Sequence, residues 1–147
     1  MKNKIPQPKL PCYCQSGLAY GVCCGQYIHG LARAPTAQAL MRSRYSANCR
    51  KAYKYLMQTW YAQTRPAKLD TKGQVEWNGL EIIATNQDDI HAWVEFKASY
   101  MHRVAHGSHE HSHAHIMHEK SRFILDDNQW FYIDGEILSR SACGHAG

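Results

Sequence analysis

Four of the six cysteines fall between residues 12 and 24, as Cys12-Tyr13-Cys14, eight further residues, and Cys23-Cys24. Their chemistry decides what kind of protein this is, because little else in the chain resembles catalytic machinery. Disulfides, a redox pair, free thiols and metal ligands are the alternatives. A thioredoxin-type redox site needs Cys-x-x-Cys, which is absent. A Cys23–Cys24 disulfide would be a strained bridge between neighbours. Zinc takes four tetrahedral thiolate or imidazole ligands. An extended Cys-x-Cys turns both sulfurs to one side, since side chains repeat every second residue. Adjacent cysteines on a helical turn lie about 100° apart and can reach one ion. Gly17 lets the chain double back between the two halves, and Gly25 suits the end of the second. The spacing predicts one structural zinc ion on Cys12, Cys14, Cys23 and Cys24.

The compartment bears on the same question. The first residues, MKNKIPQPKL, carry no apolar signal core, and no stretch approaches membrane-spanning length. A cytoplasmic protein without a membrane partner is expected, and in a reducing cytosol clustered cysteines more often bind metal than form disulfides. At 147 residues and 44% apolar composition the chain can bury one core without covalent staples. Its net charge of +5 is spread along the sequence, with no dense basic run, so nucleic acid is not indicated.

Residues 1–10 read as a loose arm rich in Pro and Lys. Pro35-Thr36 is a helix start with Thr36 as N-cap, and Ala37, Leu40, Met41 and Tyr45 follow at helical spacing. Tyr53, Leu56, Met57 and Trp60 suggest a second, short helix, and Pro66 interrupts a connection over 62–75. From residue 76 the apolar period falls towards two, giving strands over 76–86, 91–104, 113–126 and 129–136. Asn86–Asp89 and Asp126-Asp127-Asn128 are the turns. Helices followed by a run of strands predict an α+β fold with helices on one face of an antiparallel sheet.

The segment Cys12-Tyr13-Cys14-Gln15-Ser16-Gly17, with Tyr20 and Cys23-Cys24-Gly25, resembles the SEC-C motif, the zinc knuckle of the translocase SecA. The blocks "APTAQALMRSRYSA" (34–47), "YLMQTW" (55–60), "WNGLEI" (77–82), "HEKSRF" (118–123) and "WFYIDG" (130–135) resemble, in order, the YchJ-like family of uncharacterised bacterial proteins. The resemblance spans nearly the whole chain. It implies a SEC-C-like knuckle over residues 1–30, arm included, followed over 31–147 by a nuclear-transport-factor-2-like cone, its helices on a curved sheet. It implies no activity. Three departures stand out. The lysines through which a SEC-C loop would meet an acidic partner such as SecB are replaced by Leu18-Ala19-Tyr20-Gly21-Val22. The second knuckle of many relatives is reduced to Cys143-Gly144-His145. The family's Thr-Trp-His reads Thr59-Trp60-Tyr61.

Two further constellations can carry chemistry. His109, His111, His113 and His115 alternate, so an extended strand would set all four on one side. Such imidazoles chelate zinc, nickel or copper, and incidental, weak metal binding on a solvated hairpin loop is expected in preference to an evolved site. The family resembled here lacks this run. On the strands, Ala92, Val94, Phe96, Ala98 and Tyr100 form a core face. Met117, Glu119, Ser121, Phe123 and Leu125 form its continuation, which turns Glu119 and Ser121 inward. A buried carboxylate is costly unless paired. Arg42 and Arg44, on the helix that covers this face, are its expected partners, beneath Tyr45 and Trp60. That arrangement is either a structural ion pair or the polar floor of a ligand pocket. No Ser-His-Asp or Cys-His order can be singled out, and no phosphate-binding Gly loop is present. Asp134-Gly135 reads as a strand-end turn, and Cys49 and Cys143 lack an identifiable base.

The expected protein is therefore a zinc-binding accessory or adaptor, with a knuckle that meets an unidentified protein partner and a cone that holds a pocket. A small-ligand-binding protein or enzyme working through Arg42, Arg44, Tyr45, Trp60, Tyr100, Glu119 and Ser121 is the alternative. Metal handling by the His-rich hairpin is the third. Because the cone has its own core, loss of zinc is expected to release residues 11–28 alone.

Overall fold

A computed structural model describes residues 4–70, 75–102 and 114–142. A 3-10 turn, Tyr20–Val22, leads into the short helix α1, Cys24–Ile28. Helix α2 spans Ala37–Arg50 and α3 spans Tyr53–Gln58. Strands β1 (Val75–Gln87), β2 (His91–His102), β3 (Ala114–Asp126) and β4 (Gln129–Ala142) follow. They form one antiparallel sheet in the order β1-β2-β3-β4, with the helices on one face. The α+β order expected from the sequence is the order found.

The local chemistry explains the boundaries. Thr36 caps α2 by accepting the Ala39 N–H at 3.0 Å, and the helix ends where Lys51 turns left-handed at φ 59°. Asp127 and Asn128 take φ of 51° and 59°. A two-residue hairpin turn of that hand matches the strands' own twist. On β2 the core side is Ala92, Val94, Phe96, Ala98 and Tyr100, all buried.

Helix α2 is buried on more than one side. Met41 and Tyr45 face the sheet, the Ser43 hydroxyl meets that of Tyr55 on α3 at 2.7 Å, and Ser46 lies 3.7 Å from the sulfur of Cys12. Small polar residues allow these close approaches. Cys12, Cys14, Tyr20 and Cys24 consequently share one buried cluster with α2 and the sheet. The cysteine segment is not a separate body hung on the cone.

Four expectations are corrected. Residues 4–10 are not loose: Leu10 and Pro8 accept the Tyr20 and Gly21 N–H groups, each at 2.8 Å, and Ile5 packs on the core. In α3 the inward side chains are Tyr55 and Leu56, whereas Tyr53 is exposed, because Tyr55 finds its partner in Ser43. Strand β4 does not end at residue 136 but runs to Ala142, and Asp134-Gly135 lies within it. Two irregularities in the β3–β4 register keep that longer strand paired. The outer edge of β4 is also occupied, since Tyr61 N–H donates to Tyr132 O and Tyr132 N–H to Thr59 O. Such pairing blunts an edge that would otherwise be open to association. No helix among the described residues is long and apolar enough to cross a membrane.

Removing the α2 cap tests this reading of the helix start. Thr36→Ala is expected to cost about 1 kcal/mol of folding free energy. Urea denaturation measures it, and an unchanged midpoint would show that the cap is immaterial.

Candidate functional site

The cysteine segment is shaped by two left-handed residues, Gln15 at φ 60° and Gly17 at φ 89°. They reverse the chain so that Cys12 N–H reaches Leu18 O at 2.9 Å and Pro11 bridges Ala19. Cys12 and Cys14 then face Cys23 and Cys24 at the start of α1. Cys23 itself is not helical, with φ −124° and ψ −121°. A non-helical residue, and not the helical turn expected, brings the adjacent sulfurs together.

The four sulfurs lie within 4.8 Å of one another. Cys14 and Cys23 are 3.6 Å apart, and Cys23 and Cys24 4.0 Å apart. A disulfide requires about 2.05 Å, so none is formed. Four thiolates at about 2.3 Å from one tetrahedral ion would be spaced by about 3.8 Å, which these separations match. The Cys12 and Cys24 thiols hold Cys14 far below the usual thiol range. Hydrogen bonds with Cys12 and then Cys14 push Cys24 far up, and burial raises Cys23 to about 11. Arg42 donates to the Cys14 carbonyl at 3.0 Å and lies 3.6 Å from its sulfur, partly offsetting the clustered negative charge.

On the other side of α2 lies a cavity of about 220 Å³ between the helices and the concave face of the sheet. Its walls are aromatic and apolar: Tyr45, Trp60, Trp77, Phe96, Phe123 and Tyr132, with Met41, Met117 and Leu69. Its polar groups are few. Arg44 donates through Nη1 to Leu56 O and to Thr59 Oγ1, each at 2.7 Å, and its guanidinium lies 4.4 Å above the Tyr132 ring. Burial lowers its pKa to about 10, so it stays charged at neutral pH. Glu119 accepts from Ser121 Oγ at 2.6 Å, and burial raises its pKa. Burial, and then the charge of Glu119, push Tyr132 up to about 12. Among the described residues no ion pair joins Arg44 to Glu119.

The family model for the YchJ middle NTF2-like domain matches residues 36–135. The chain belongs to the YchJ-like, or UPF0225, family. A UPF0225 protein of Streptomyces coelicolor is 42% identical over 134 residues, covering 89% of this chain and 98% of that relative. One of Xanthomonas campestris is 44% identical over 132 residues, covering 86% and 95%. Two solved structures share the fold, both described as SEC-C motif containing proteins. The one from Rhodopseudomonas palustris has a TM-score of 0.71 at 28% identity and covers 88% of this chain and 100% of its own. The one from Psychrobacter arcticus has a TM-score of 0.67 at 28% identity, covering 90% and 85%. The chain is thus an NTF2-like member of the YchJ-like family, preceded by a cysteine cluster that can hold a metal ion.

The structure distributes the pocket residues expected from strand alternation unevenly. Arg44, Tyr45, Trp60, Glu119 and Ser121 all line the cavity. Arg42 does not, and so cannot pair with Glu119. Two residues along a helix are about 200° apart, so Arg42 and Arg44 leave α2 on opposite sides. Arg44 faces the cavity but bonds α3 in place of the carboxylate. Tyr100 is buried on the expected face yet lies beyond the cavity wall, packed between Trp77 and His115. His115 stacks on Tyr100, with its ring 4.9 Å from that of His102. His109, His111 and His113 lie outside the described residues. Tyr61 packs on Phe131 and is not part of the cavity lining.

Sequence reasoning missed Trp77, Tyr132 and Gly135. A Cβ at Gly135 would stand 2.5 Å from Glu119 Oε2 and 3.1 Å from the Tyr132 hydroxyl. The glycine makes room for the carboxylate. Asp134 turns the other way and forms a two-bond pair with Arg122, at 2.7 and 2.6 Å. Period-two alternation along "WFYIDG" is the signal that could have found Tyr132, but nothing in that block distinguishes a packing glycine from a turn glycine.

Glu119 supplies a pH test. A carboxyl whose folded pKa is raised binds protons more readily in the folded state, so its contribution to stability declines as pH rises through the interval between the unfolded value of about 4.3 and the raised one. Unfolding free energies of the parent chain and of Glu119→Gln, compared across that interval, are expected to diverge in favour of the glutamine variant as pH rises. Parallel curves would show that the carboxyl is not perturbed. Gly135→Ala is expected to destabilise the fold, and much less so when combined with Glu119→Ala, which removes the clashing oxygens. Equal costs in the two backgrounds would overturn the packing role of Gly135.

Proposed function

We propose that this chain is a small-ligand-binding protein whose ligand enters the cone cavity and whose cysteine cluster holds one structural zinc ion. The observation that carries the first half is that Arg44 and Glu119 share one cavity without pairing. Both line one aromatic-walled cavity, and no ion pair joins them. A scaffold whose only need was to neutralise these groups would bring them together. An engineered cavity of about 150 Å³ already admits benzene, so about 220 Å³ accommodates a substituted ring.

Zinc is supported by the donor set. Four cysteine sulfurs at near-tetrahedral separations suit a d¹⁰ ion with no redox chemistry, and all four protein positions are filled, as in structural sites. Its role would be to fix residues 11–28 against α2, the helix that also carries Arg44 and Tyr45. Because Cys12 and Cys14 are buried under α2, metal loss should reach further than the cysteine segment.

Two measurements test these halves. Native mass spectrometry is expected to give one zinc per chain, absent in Cys14→Ser. Chelation should then lower the melting temperature of the whole domain in one transition, the binding free energy of such sites being on the order of 10 kcal/mol. An unchanged domain transition after chelation would show that the cone does not depend on the metal. For the cavity, toluene titrated into the zinc-loaded chain should shift the methyl resonances of Met41 and Met117. Ala98→Leu, which fills the same space, should suppress those shifts. Absence of any response to toluene in the folded parent chain would remove the ligand-binding reading.

A second reading rests on a different observation. The cysteine segment exposes Leu10, Tyr13, Leu18 and Val22, the last at 66%. In place of a basic face it presents apolar side chains, which suit a protein partner with an apolar patch of its own. Partner binding through this surface would be lost in Leu18→Lys with Val22→Lys, while toluene binding in the cone stays unchanged. Retention of the partner in that variant would end this second reading.

A further inference from the structure

Arg44 is placed to read an anion, and its hydrogen bonds show which edge does so. A guanidinium carries five N–H donors in a planar fork. Nη1 is spent on Leu56 O and Thr59 Oγ1. The flat face is covered by Tyr132 at 4.4 Å and Trp60 at 5.4 Å. Among the described residues no acceptor meets Nε or Nη2. Yet no buried side-chain nitrogen or oxygen among the described residues lacks a partner, so these donors open to solvent, and the cavity that Arg44 lines is their opening. A side-on Nε–Nη2 edge is the geometry that binds a carboxylate through two parallel hydrogen bonds.

The rest of the molecule shows the alternative fates of arginine. Arg122 is closed on Asp134, Arg42 on the Cys14 carbonyl and Arg65 on Met57 O. Arg44 alone among these has its fork held rigid by helix α3 and aromatic rings and its free edge aimed into a cavity. Opposite stands Glu119, fixed by Ser121 and given room by Gly135. Among the described residues no donor meets Glu119 Oε1, and Glu119 lines the same cavity.

We propose that the cone cavity takes a small organic monocarboxylate with a flat apolar body and a hydrogen-bond donor, the carboxylate on the Nε–Nη2 edge of Arg44 and the donor on Glu119. This rests on the ligand-binding reading above and adds the ligand's class. Arg44 is the one cationic residue among the described lining residues and Glu119 is acidic, so a monoanion is favoured over a phosphate dianion. The rings of Trp60, Trp77 and Tyr132 provide the walls for a planar body. Stacking of such a body adds to the charge-assisted contacts.

The experiment uses the zinc-loaded full chain and four probes: benzoate, benzamide, 4-hydroxybenzoate and phenyl phosphate. Binding is read from the methyl shifts of Met41 and Met117. Benzoate is expected to bind about tenfold or more tighter than benzamide, its neutral isostere, as befits a hydrogen-bonded charge. That ratio should collapse towards one in Arg44→Met. The added hydroxyl of 4-hydroxybenzoate should improve affinity in the parent chain and give no gain in Glu119→Met. Where Arg44→Met fails to fold, the benzoate-to-benzamide ratio in the parent chain decides alone. Benzamide binding as tightly as benzoate would overturn the carboxylate class while leaving the ligand-binding reading intact. Phenyl phosphate binding far tighter than benzoate would overturn it in favour of a phosphate. A hydroxyl gain that survives in Glu119→Met would remove Glu119 from the site. No methyl shift with any probe, toluene included, would end both readings together.

Discussion

Helix α2 is the element on which the two halves of this molecule depend, because it is buried from both sides. Fourteen residues, Ala37–Arg50, lie between a cysteine cluster and an aromatic cavity. Arg42 and Ser46, one turn apart, face the sulfurs. Met41, Arg44 and Tyr45 face the cavity. A helix in that position cannot shift towards one neighbour without uncovering the other, since cores are close-packed and respond to sub-ångström displacement. The cysteine segment is therefore part of the cone's own support, and whatever orders the sulfurs also holds Arg44 in place.

That arrangement changes the energetics expected of the buried charges. A buried ion pair between Arg44 and Glu119 would have been a structural tie, strongly destabilising to break from one side. The structure instead satisfies each group locally. Arg44 sits at the C-terminal end of α3, where a cation also meets the helix dipole favourably, and Glu119 rests on Ser121. Each has a local partner, although the charges of Arg140 and Arg44 still act on Glu119. The cavity between them is kept open by two opposed features, the short contacts that anchor the groups at its walls and the missing side chain at Gly135.

Much of the fold was legible because it rests on local rules. Thr36 capped the helix it was expected to cap, Asp127-Asn128 formed the hairpin turn, and alternation on β2 gave the core face residue by residue. The sulfurs' convergence was legible from spacing, although the backbone of Cys23 achieves it in another way. What was not legible depends on relations between distant segments. Arg42 and Arg44 looked interchangeable until the helix's rotation was set against the two surfaces flanking it. Gly135 read as a turn because only the position of Glu119, on another strand, gives it a packing role. Trp77 entered the cavity wall past an irregularity in the β1–β2 register, which breaks the alternation that a sequence reading relies on.

The two faces of the sheet show where the unspent chemistry lies. On the outer face charges are closed upon one another: Glu95 with His118 at 2.6 Å, Arg122 with Asp134 through two bonds, and Lys120 over the Trp93 ring at 4.0 Å. Such exposed pairs add little stability, but they tie up the groups that form them. The inner face is opposite in character. It has fewer charged groups, they are more deeply placed, and they are held with one edge or one oxygen free. Exposed charges find water at no cost, so leaving them open needs no explanation, whereas a guanidinium kept open beneath aromatic rings forgoes solvation that a folded chain could have replaced. The asymmetry leaves the uncommitted polar groups inside the cone, where α2 presents Arg44, and makes the sheet's outer surface a scaffold that turns Glu119 towards it.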